Sequence, residues 1–512
     1  MAPFWGLSGR KLHWAVWTES LVCISIFGYA TASAGGVLNG ESFRKQFPTI
    51  DVTDAPPDQK HDKSVIQGTV VAMYTLLGAF GAIACTFLGD RLGRRMTIFV
   101  AAMAVFIGGL LMSTSYSLGQ FIVARCVLGL GVGGITATVP VWQSELSKTK
   151  SRGSHVSSFG IYCGIGGLEI PIIDCVLAVI VMCFIFTLPE SPRWLKLKDR
   201  HEEAKRVLDL LHPGDPEAVE KEIEDIELAL RISVRHTSLL SMFSMGPQRI
   251  FHRVVLASIL QIMLQASGPR TVILMLHGVL ISVQMTGVNA IAFYAPTIYE
   301  QQLHFPAVEA GVLAAASQAC LILGGILCAF TVDRFGRRPL MMFSASAMCV
   351  CFVCVTALTS QPDNRAASKA AVFFLYLYYV VYTVGYIGIP FLYASEIAPV
   401  QLRAAICGLS TAISWLFNFM VVEVTPVGFE DIGYQYFIIY TVLNATFVPM
   451  VYFFYPETAG RSLEELDAIF AQSKSIFDTV RVAKQMPKIH LKELGYEKKA
   501  ADLEHMEKYE AV

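Results

Sequence analysis

Residues 90–95 read DRLGRR, and residues 333–338 read DRFGRR. Other pairs keep the same order in both halves: an acid precedes a base by seven positions, and a Pro-Glu dipeptide follows. These pairs are Glu145 with Arg152 and Glu396 with Arg403, then Pro189-Glu190 and Pro456-Glu457. One half of about 250 residues therefore repeats in the other. Such a repeat is typical of transporters in which two helix bundles surround a site at the middle of the membrane.

The composition indicates a membrane protein. Of 512 residues, 54% are hydrophobic and 16% are charged, whereas about a quarter of the residues in a soluble domain are charged. The deficit comes from many apolar runs of about 20 residues, the length that crosses a bilayer as a helix. A formal net charge of −1 gives no indication of a nucleic-acid partner. The class indicated is an all-α polytopic membrane protein.

A charged stretch divides the apolar runs into two series. We expect an N-terminal helix bundle at 1–188, a cytosolic linker at 189–252, a C-terminal bundle at 253–455 and a cytosolic tail at 456–512. The predicted spans of the first series are 14–37, 65–88, 96–112, 120–141 and the irregular region 156–188. Those of the second are the overlong 254–296, then 308–332, 340–358, 370–392, 404–424 and 434–454.

Basic residues predict the orientation. Short loops rich in arginine stay in the cytosol, and such loops follow the runs at 65–88 and 308–332. Their arginines are Arg91, Arg94 and Arg95 in the first half and Arg334, Arg337 and Arg338 in the second. Both termini are then expected in the cytosol. The plasma membrane is the simplest expectation for the membrane that holds the protein.

The repeated charges all fall at the cytosolic ends of apolar runs. They can bridge the two bundles in one conformation and separate in another, which would make them a gate. The simpler alternative is that loop arginines only anchor the topology, but the repeated spacing favours the gate. The candidate gating residues are Asp90, Arg91, Arg94, Glu145, Arg152, Asp333, Arg334, Arg337, Glu396 and Arg403.

A polar cluster interrupts one apolar run at residues 284–296, which read QMTGVNAIAFYAP. The amides Gln284 and Asn289 are costly in a membrane unless something binds them. Gly287 and Pro296 loosen the helix and free backbone groups. An amide can also simply join two helices, but the convergence of amides, glycine and aromatics favours a binding site.

Seven ordered motifs resemble those of the sugar porters of the major facilitator superfamily, with fungal hexose and lactose permeases most alike. They are GDRLGRR (89–95), ARCVLGLGVGG (124–134), PVWQSELSKTKSRG (140–153), PESPRW (189–194), VDRFGRR (332–338), PFLYASEIAPVQLR (390–403) and PETAGRSLEELD (456–467). The resemblance implies a major facilitator fold of two six-helix bundles, nominally twelve transmembrane helices, and alternating access. It also implies a monomer embedded in lipid that carries a small neutral sugar or polyol.

The resemblance also implies site residues. The family's seventh helix carries Gln-x-x-Gly-x-Asn, whose amides bind the sugar, and aromatic rings from other helices stack on it. The matching or neighbouring positions are Asn289, Gln284, Gln265, Phe391, Trp415, Ser414, Asn418 and Phe27. Each aromatic residue taken alone could equally be ordinary helix packing.

The first helix departs from the family's proton-coupled members. These often place Asp immediately after Phe-Gly-Tyr, but here Ala30 follows Phe27-Gly28-Tyr29. A carboxylate in the membrane is the natural proton carrier, so Ala30 favours facilitated diffusion. Glu423 is another intramembrane acid, expected near the outer end of its helix.

Two regions do not fit twelve full helices. Glu145 precedes Glu190 by 45 positions, whereas Glu396 precedes Glu457 by 61, so helices 5 and 6 are about 16 residues short by the chain's own repeat. Residues 266–284 have no counterpart in the family and make Gln265 and Gln284 rivals for one motif position. A skipped coding segment near Gly167 and a retained intron would explain both. The alternative is a variant topology with one span at 156–188 and two at 254–296.

Other functions are less well supported. A transporter-like nutrient sensor would carry a longer tail, and a transport-incompetent product is the rival that the two irregular regions suggest. No nucleophile elbow, phosphate loop or metal-ligand spacing indicates an enzyme, a cofactor or a metal site. Cys351 and Cys354 form a CxxC within an apolar run, where buried thiols are the simpler interpretation.

Overall fold

The structure is a computed structural model. It describes residues 6–39, 45–50, 56–148, 151–165, 172–232, 239–245, 248–265, 288–361 and 364–486. Throughout these ranges the regular elements are helices, and no strand is present. The α-helices of the first half are α1 Gly9–Asn39, α2 Pro57–Leu92, α3 Arg94–Ser113, α4 Leu118–Leu146, α5 Arg152–Ser157, α6 Phe159–Ile165 and α7 Ile172–Phe184.

Three shorter helices form the linker: α8 Pro192–Leu197, α9 His201–Leu211 and α10 Pro216–Ile232. The second half contains α11 Ile250–Gln265, α12 Val288–Thr297, α13 Ala307–Phe335, α14 Arg337–Thr359, α15 Arg365–Tyr382, α16 Ile389–Ile397, α17 Arg403–Ile432 and α18 Tyr436–Phe454. The tail adds α19 Leu463–Gln472 and α20 Thr479–Gln485. A π-helical turn, Thr383–Ile387, connects α15 to α16.

Eight helical stretches in the described ranges are long and apolar enough to cross a membrane. They comprise α2, α3, α4, α13, α14, α15 with α16, α17 and α18. The other three predicted spans, 14–37, 156–188 and 254–296, correspond to α1, to α5 with α6 and α7, and to α11 with α12. The prediction of an all-α polytopic membrane protein is confirmed.

The two halves meet along paired helices. Helix α2 lies along α17, and α13 lies along α5 and α6. Within the first half, α3 and α2 pack on α4, while within the second half α14 packs on α15 and α18. The centre of the molecule, where α1, α4, α6, α16 and α17 approach one another, therefore lies between the halves.

Each DRxGRR motif forms the tight turn between two long helices. Gly93 and Gly336 have φ angles of 86° and 95°, in the left-handed region that favours glycine. A Cβ atom at Gly93 would lie 2.8 Å from Glu190 Oε2, and one at Gly336 would lie 2.5 Å from Glu457 Oε2. Glycine is therefore required at both turns by conformation and by space.

The two Pro-Glu dipeptides complete these turns. Glu190 accepts hydrogen bonds from the backbone N–H groups of Arg94 and Arg95, at 3.2 and 3.1 Å. Glu457 accepts from those of Arg337 and Arg338, at 2.9 and 3.0 Å. A carboxylate at a helix start satisfies N–H groups that lack intrahelical partners and opposes the helix dipole. Two repeated motifs that are far apart in sequence thus form one structural unit in each half.

The irregular region of the first half gives short helices. Helices α5 and α6 contain six and seven residues, and α7 contains 13. At 1.5 Å per residue, α5 and α6 together extend about 20 Å, and α7 alone extends about the same length. Both lengths are less than the roughly 30 Å of a hydrocarbon core. Residues 166–171, which connect them, are outside the described ranges.

Candidate functional site

An aromatic cluster occupies the centre between the halves. Phe159 of α6 stacks on Phe391 of α16, with ring centroids 4.8 Å apart and planes at 11°. Phe27 of α1 contacts Phe159 at 5.7 Å and meets the ring of Trp415 edge-on, also at 5.7 Å. The structure thus brings together the three predicted aromatic residues, Phe27, Phe391 and Trp415, and adds Phe159.

Trp415 is fixed by both halves. Its indole N–H donates to Thr136 Oγ1 of α4 at 3.1 Å, and its ring meets that of Tyr74 edge-on at 5.5 Å. The ring lies so close to Gly78 that a Cβ atom there would be 2.8 Å from Trp415 Cδ2. A single side chain of α17 therefore joins α2 and α4 of the other half.

Polar groups without partners lie beside the cluster on α17 and on the helix that packs against it. Asn418, one turn beyond the predicted Ser414, is 1% exposed, and its Oδ1 has no hydrogen-bond partner. Ser414 is 2% exposed. On α11, which packs against α17, Gln261 is fully buried and both its amide atoms lack partners. Unpartnered buried amides are costly and are the groups that a hydroxylated ligand would satisfy.

Gln261 is a candidate that the sequence analysis missed. It belongs to the same apolar run as Gln265 and lies one turn before it. The sequence contains a signal for Gln261, because an amide in a membrane helix is costly wherever it occurs. The family motif Gln-x-x-Gly-x-Asn matches Gln265 or Gln284 and does not include Gln261.

Three predicted amides fall where side chains are not described. Gln284 and the predicted insertion 266–284 lie outside the described residues. Gln265 ends α11 and Asn289 lies in the first turn of α12, but the description of both residues is limited to the backbone. Their roles in binding stay predictions.

The predicted gating charges form the same triad in each half. In the first, Arg94 pairs with Asp90 and with Glu145, both at 3.0 Å. In the second, Arg337 pairs with Asp333 at 3.0 Å and with Glu396 at 2.8 Å. These arginine and glutamate side chains are at most 2% exposed, whereas Asp90 and Asp333 are 25 and 21% exposed. The buried part of each triad is therefore its pair of arginine and glutamate.

Two hydrogen bonds between described residues cross between the halves at this end. Arg403 donates to Glu145 at 3.1 Å, and both side chains are fully buried. The backbone N–H of Ser154 donates to Asp333 Oδ2 at 2.7 Å. The repeat-mate of the first contact is not formed, because Arg152 donates to the carbonyl of Ser144 and forms no ion pair with any described residue.

Two other predicted gating residues stand apart. Arg91 and Arg334 are exposed and make no ion pair within the described ranges. Arg334 lies over the ring of its neighbour Phe335, at 5.8 Å. Their placement fits the alternative that some of the loop arginines only anchor the topology.

The linker and the tail contact each other at this end of the molecule. Arg193 of α8 pairs with Glu464 of α19 at 3.1 Å and also donates to the carbonyl of Glu145. Burial raises the pKa of Glu464, but the guanidinium groups of Arg193 and Arg403 outweigh it and hold the pKa below its usual range. Glu464 therefore stays ionised at neutral pH, and the bridge between the linker and the tail persists.

The opposite end is also joined. Thr69 of α2 donates to Glu423 of α17 at 2.8 Å. Glu423 therefore lies in the part of α17 that is far from Arg403. Tyr294 of α12 donates to the carbonyl of Val422 at 2.9 Å. With bonds at both ends and stacked rings at the centre, the described residues enclose the candidate site from both sides.

Two further carboxylates are buried in the first half. Asp174 of α7 is fully buried and neither of its oxygens has a partner, and Glu19 of α1 is 5% exposed with Oε1 unpartnered. Within the described ranges, no group of three or more potential ligands could hold a metal ion. The chemistry available at the centre is aromatic stacking and hydrogen bonding.

Comparisons with known proteins agree with this geometry. The family described as "Sugar (and other) transporter" matches residues 19–169 and 167–470. The chain is 30% identical to the sugar transporter STL1 of Saccharomyces cerevisiae, over 96% of this chain and 87% of the yeast protein. It is 31% identical to the MFS-type transporter oryC of Aspergillus oryzae, over 93% and 89%.

The fold resembles that of the proton:xylose symporter XylE bound to 6-bromo-6-deoxy-D-glucose, with a TM-score of 0.75 at 21% identity. This likeness covers 90% of the present chain and all of the other. The two matched segments of the family meet at residues 167–169, between α6 and α7. That is the place where the repeat predicts missing residues.

Proposed function

The chain belongs to the sugar transporter family of the major facilitator superfamily, and on that premise we propose that it carries a small neutral sugar or polyol by alternating access. The observation that carries the proposal is the centre itself, where Trp415 and the unpartnered amide of Asn418 lie one turn apart on α17. A second unpartnered amide, Gln261, lies on α11, which packs against α17 and α16. A sugar ring offers C–H faces to aromatic rings and hydroxyls to amides. The protein would act as a monomer in the plasma membrane with both termini in the cytosol.

Binding requires the centre to open. The ring faces of Phe159 and Phe391 contact each other, so a sugar can stack on this face of Phe391 only after these rings separate. Because Phe159 belongs to the first half and Phe391 to the second, their separation is a movement of one half against the other. Alternating access requires such a movement.

We propose facilitated diffusion rather than proton coupling. Ala30 is fully buried in α1, at the position where proton-coupled relatives often carry Asp. Glu19 of α1, Asp174 and Glu423 are the intramembrane acids that would have to replace it. Asp174 lies beside Gly109 of α3, and Glu423 lies in the part of α17 that is far from Arg403, bonded to Thr69.

Ala30→Asp is expected to make sugar uptake depend on external pH, because it adds a carboxylate at a buried position of α1. Uptake of labelled sugar would be measured at acidic and neutral pH, with and without a protonophore, in the original chain and in Ala30→Asp. Ala30→Asn is the matched control, since it adds a polar group of similar size without a proton site. Identical pH dependence in all three chains would count against this reasoning.

Asn418→Ala is expected to raise the KM for sugar about three- to tenfold, the value of a lost hydrogen bond. Stability should change little, because Asn418 Oδ1 makes no bond in the empty protein. Asn444→Ala is the control: Asn444 is equally buried but lies on α18 and donates to Tyr440. A parallel rise of KM in both variants would assign Asn418 to packing instead.

The function is tested by uptake in a host that lacks its own sugar transporters. Hexoses, pentoses, disaccharides and polyols would be supplied one at a time, to the full chain and to the chain without residues 266–284. Saturable uptake of at least one compound is expected. If neither chain moves any of them while both reach the membrane, the proposal is wrong.

A further inference from the structure

A cleft of about 250 Å³ opens at the linker side of the first half. One wall is apolar and is formed by Leu92 at the end of α2, Met96 at the start of α3 and Phe186 after α7. These side chains are 40, 39 and 43% exposed, although they belong to membrane-spanning segments. They therefore face lipid, and the cleft adjoins the boundary of the bilayer.

The facing wall is cationic. Arg95, Arg200 and Arg206 line it. Arg95 lies 5.4 Å over the ring of Phe186 and uses one N–H group on the carbonyl of Leu188. Arg206 of α9 is exposed and has no ion pair with any described residue. Three guanidinium groups thus stand beside an apolar surface that ends in lipid.

The two acids of the cleft are already occupied. Glu190 accepts the backbone N–H groups at the start of α3. Glu203 is held by both arms of Arg200, at 2.8 and 2.6 Å. The five ionised groups leave one net positive charge, and the remaining N–H groups of Arg95 and Arg206 are available to an anion.

The repeat-mate in the second half differs. Arg338 corresponds to Arg95, but it is 9% exposed, donates to the carbonyl of Tyr452 and lies 4.9 Å over that ring. The linker supplies Arg206 of α9 and Arg200, the residue before α9, to the first half alone. The cleft is therefore a feature of one half and not a by-product of the repeated motif.

We propose that this cleft binds the headgroup of an anionic phospholipid from the leaflet that faces the linker. Its phosphate would lie among Arg95, Arg200 and Arg206, and an acyl chain would run along Leu92, Met96 and Phe186. Arginine pairs with phosphate through two parallel hydrogen bonds, and basic pockets at the cytoplasmic ends of helices hold anionic headgroups. The apolar wall selects a lipid over free phosphate. A bound lipid would tie α9 to the start of α3.

The test uses the full chain purified in detergent and native mass spectrometry. Phosphatidylserine, phosphatidylcholine and inorganic phosphate are added separately. The chain is expected to retain phosphatidylserine over phosphatidylcholine. Arg200→Gln with Arg206→Gln should weaken retention about tenfold or more, whereas Glu203→Gln should strengthen it severalfold because it frees Arg200.

A matched control removes two charges at the opposite membrane face, Arg365→Gln with Lys369→Gln, both exposed on α15. This variant should retain phosphatidylserine like the original chain. The increase expected from Glu203→Gln cannot come from misfolding. Unchanged retention in Arg200→Gln with Arg206→Gln, equal loss in the control, or weaker retention in Glu203→Gln would each overturn the proposal. Displacement of phosphatidylserine by inorganic phosphate would overturn the assignment to a lipid.

Discussion

Replacing Glu145 with glutamine is expected to destabilise the protein by about 3–5 kcal/mol and to open the linker end of the interface. Among the described residues, it leaves the buried Arg403 without an ion pair and Arg94 with Asp90 alone. Glu145 accepts from Arg94 at 3.0 Å and from Arg403 at 3.1 Å. Only the second bond joins the two halves. The loss of stability measures the contribution of both bonds. Opening of the interface measures the contribution of the bond between Arg403 and Glu145 alone.

The internal repeat supplies the matched control. Glu396 is equally buried and also has two partners, but these are Arg337 and Thr458 of its own half. Glu396→Gln should therefore destabilise the protein by a similar amount without opening the interface. Thermal unfolding would measure stability, and hydrogen exchange of residues 151–157 and 398–405 would measure opening.

The expected pattern is faster exchange in Glu145→Gln alone. Equal exchange in the two variants would mean that the bridge from Arg403 to Glu145 does not hold the halves together. Unchanged stability in both would mean that the triads contribute little. Either result would remove these residues from the gate.

Excision of residues 266–284 is expected to raise sugar uptake on the order of tenfold or more, because misplacing a binding group by a small distance costs that much. Helix α11 ends at Gln265, and α12 begins at Val288. Joining Gln265 to Met285 would restore Gln-x-x-Gly-x-Asn with Gln265, Gly287 and Asn289. It would also remove Pro269 and Arg270 from the predicted span 254–296, where a proline and a charge are costly.

Geometry supports a single helix. The 16 residues of α11 extend about 24 Å, short of a full crossing, and the ten residues of α12 continue along the same partner, α17. Asn289→Ala in the shortened chain is the control and should abolish the gain. If the excision lowers uptake or keeps the protein from the membrane, residues 266–284 belong to the fold, and the variant topology becomes the better explanation.

Much of the architecture could be predicted because it follows from patterns that are visible in the sequence alone. Apolar runs give the spans, and DRxGRR gives the repeat and the turn. The role of the Pro-Glu dipeptide could not be predicted, because nothing in sequence connects Glu190 to the N–H groups of Arg94 and Arg95. That contact depends on a left-handed glycine and on how the following loop returns.

The candidate site divides in the same way. Phe391 and Trp415 carried motif positions and could be named in advance. Phe159 carried none, since one phenylalanine among 32 gains significance only from the ring that it faces. The absent bond between Arg152 and Glu396 is a further example. Equal spacing predicts equal partners only when the halves are perfectly symmetric, and here Arg152 donates to the carbonyl of Ser144 while Arg403 donates to Glu145.

Trp415 gives the molecule an intrinsic optical probe. It is one of six tryptophans, and it sits where the halves touch, within ring contact of Phe27 and Tyr74 and with its N–H on Thr136. Indole emission shifts to longer wavelength when water reaches the ring. The colour of its fluorescence therefore records how far the centre has parted, in the unlabelled protein and in real time.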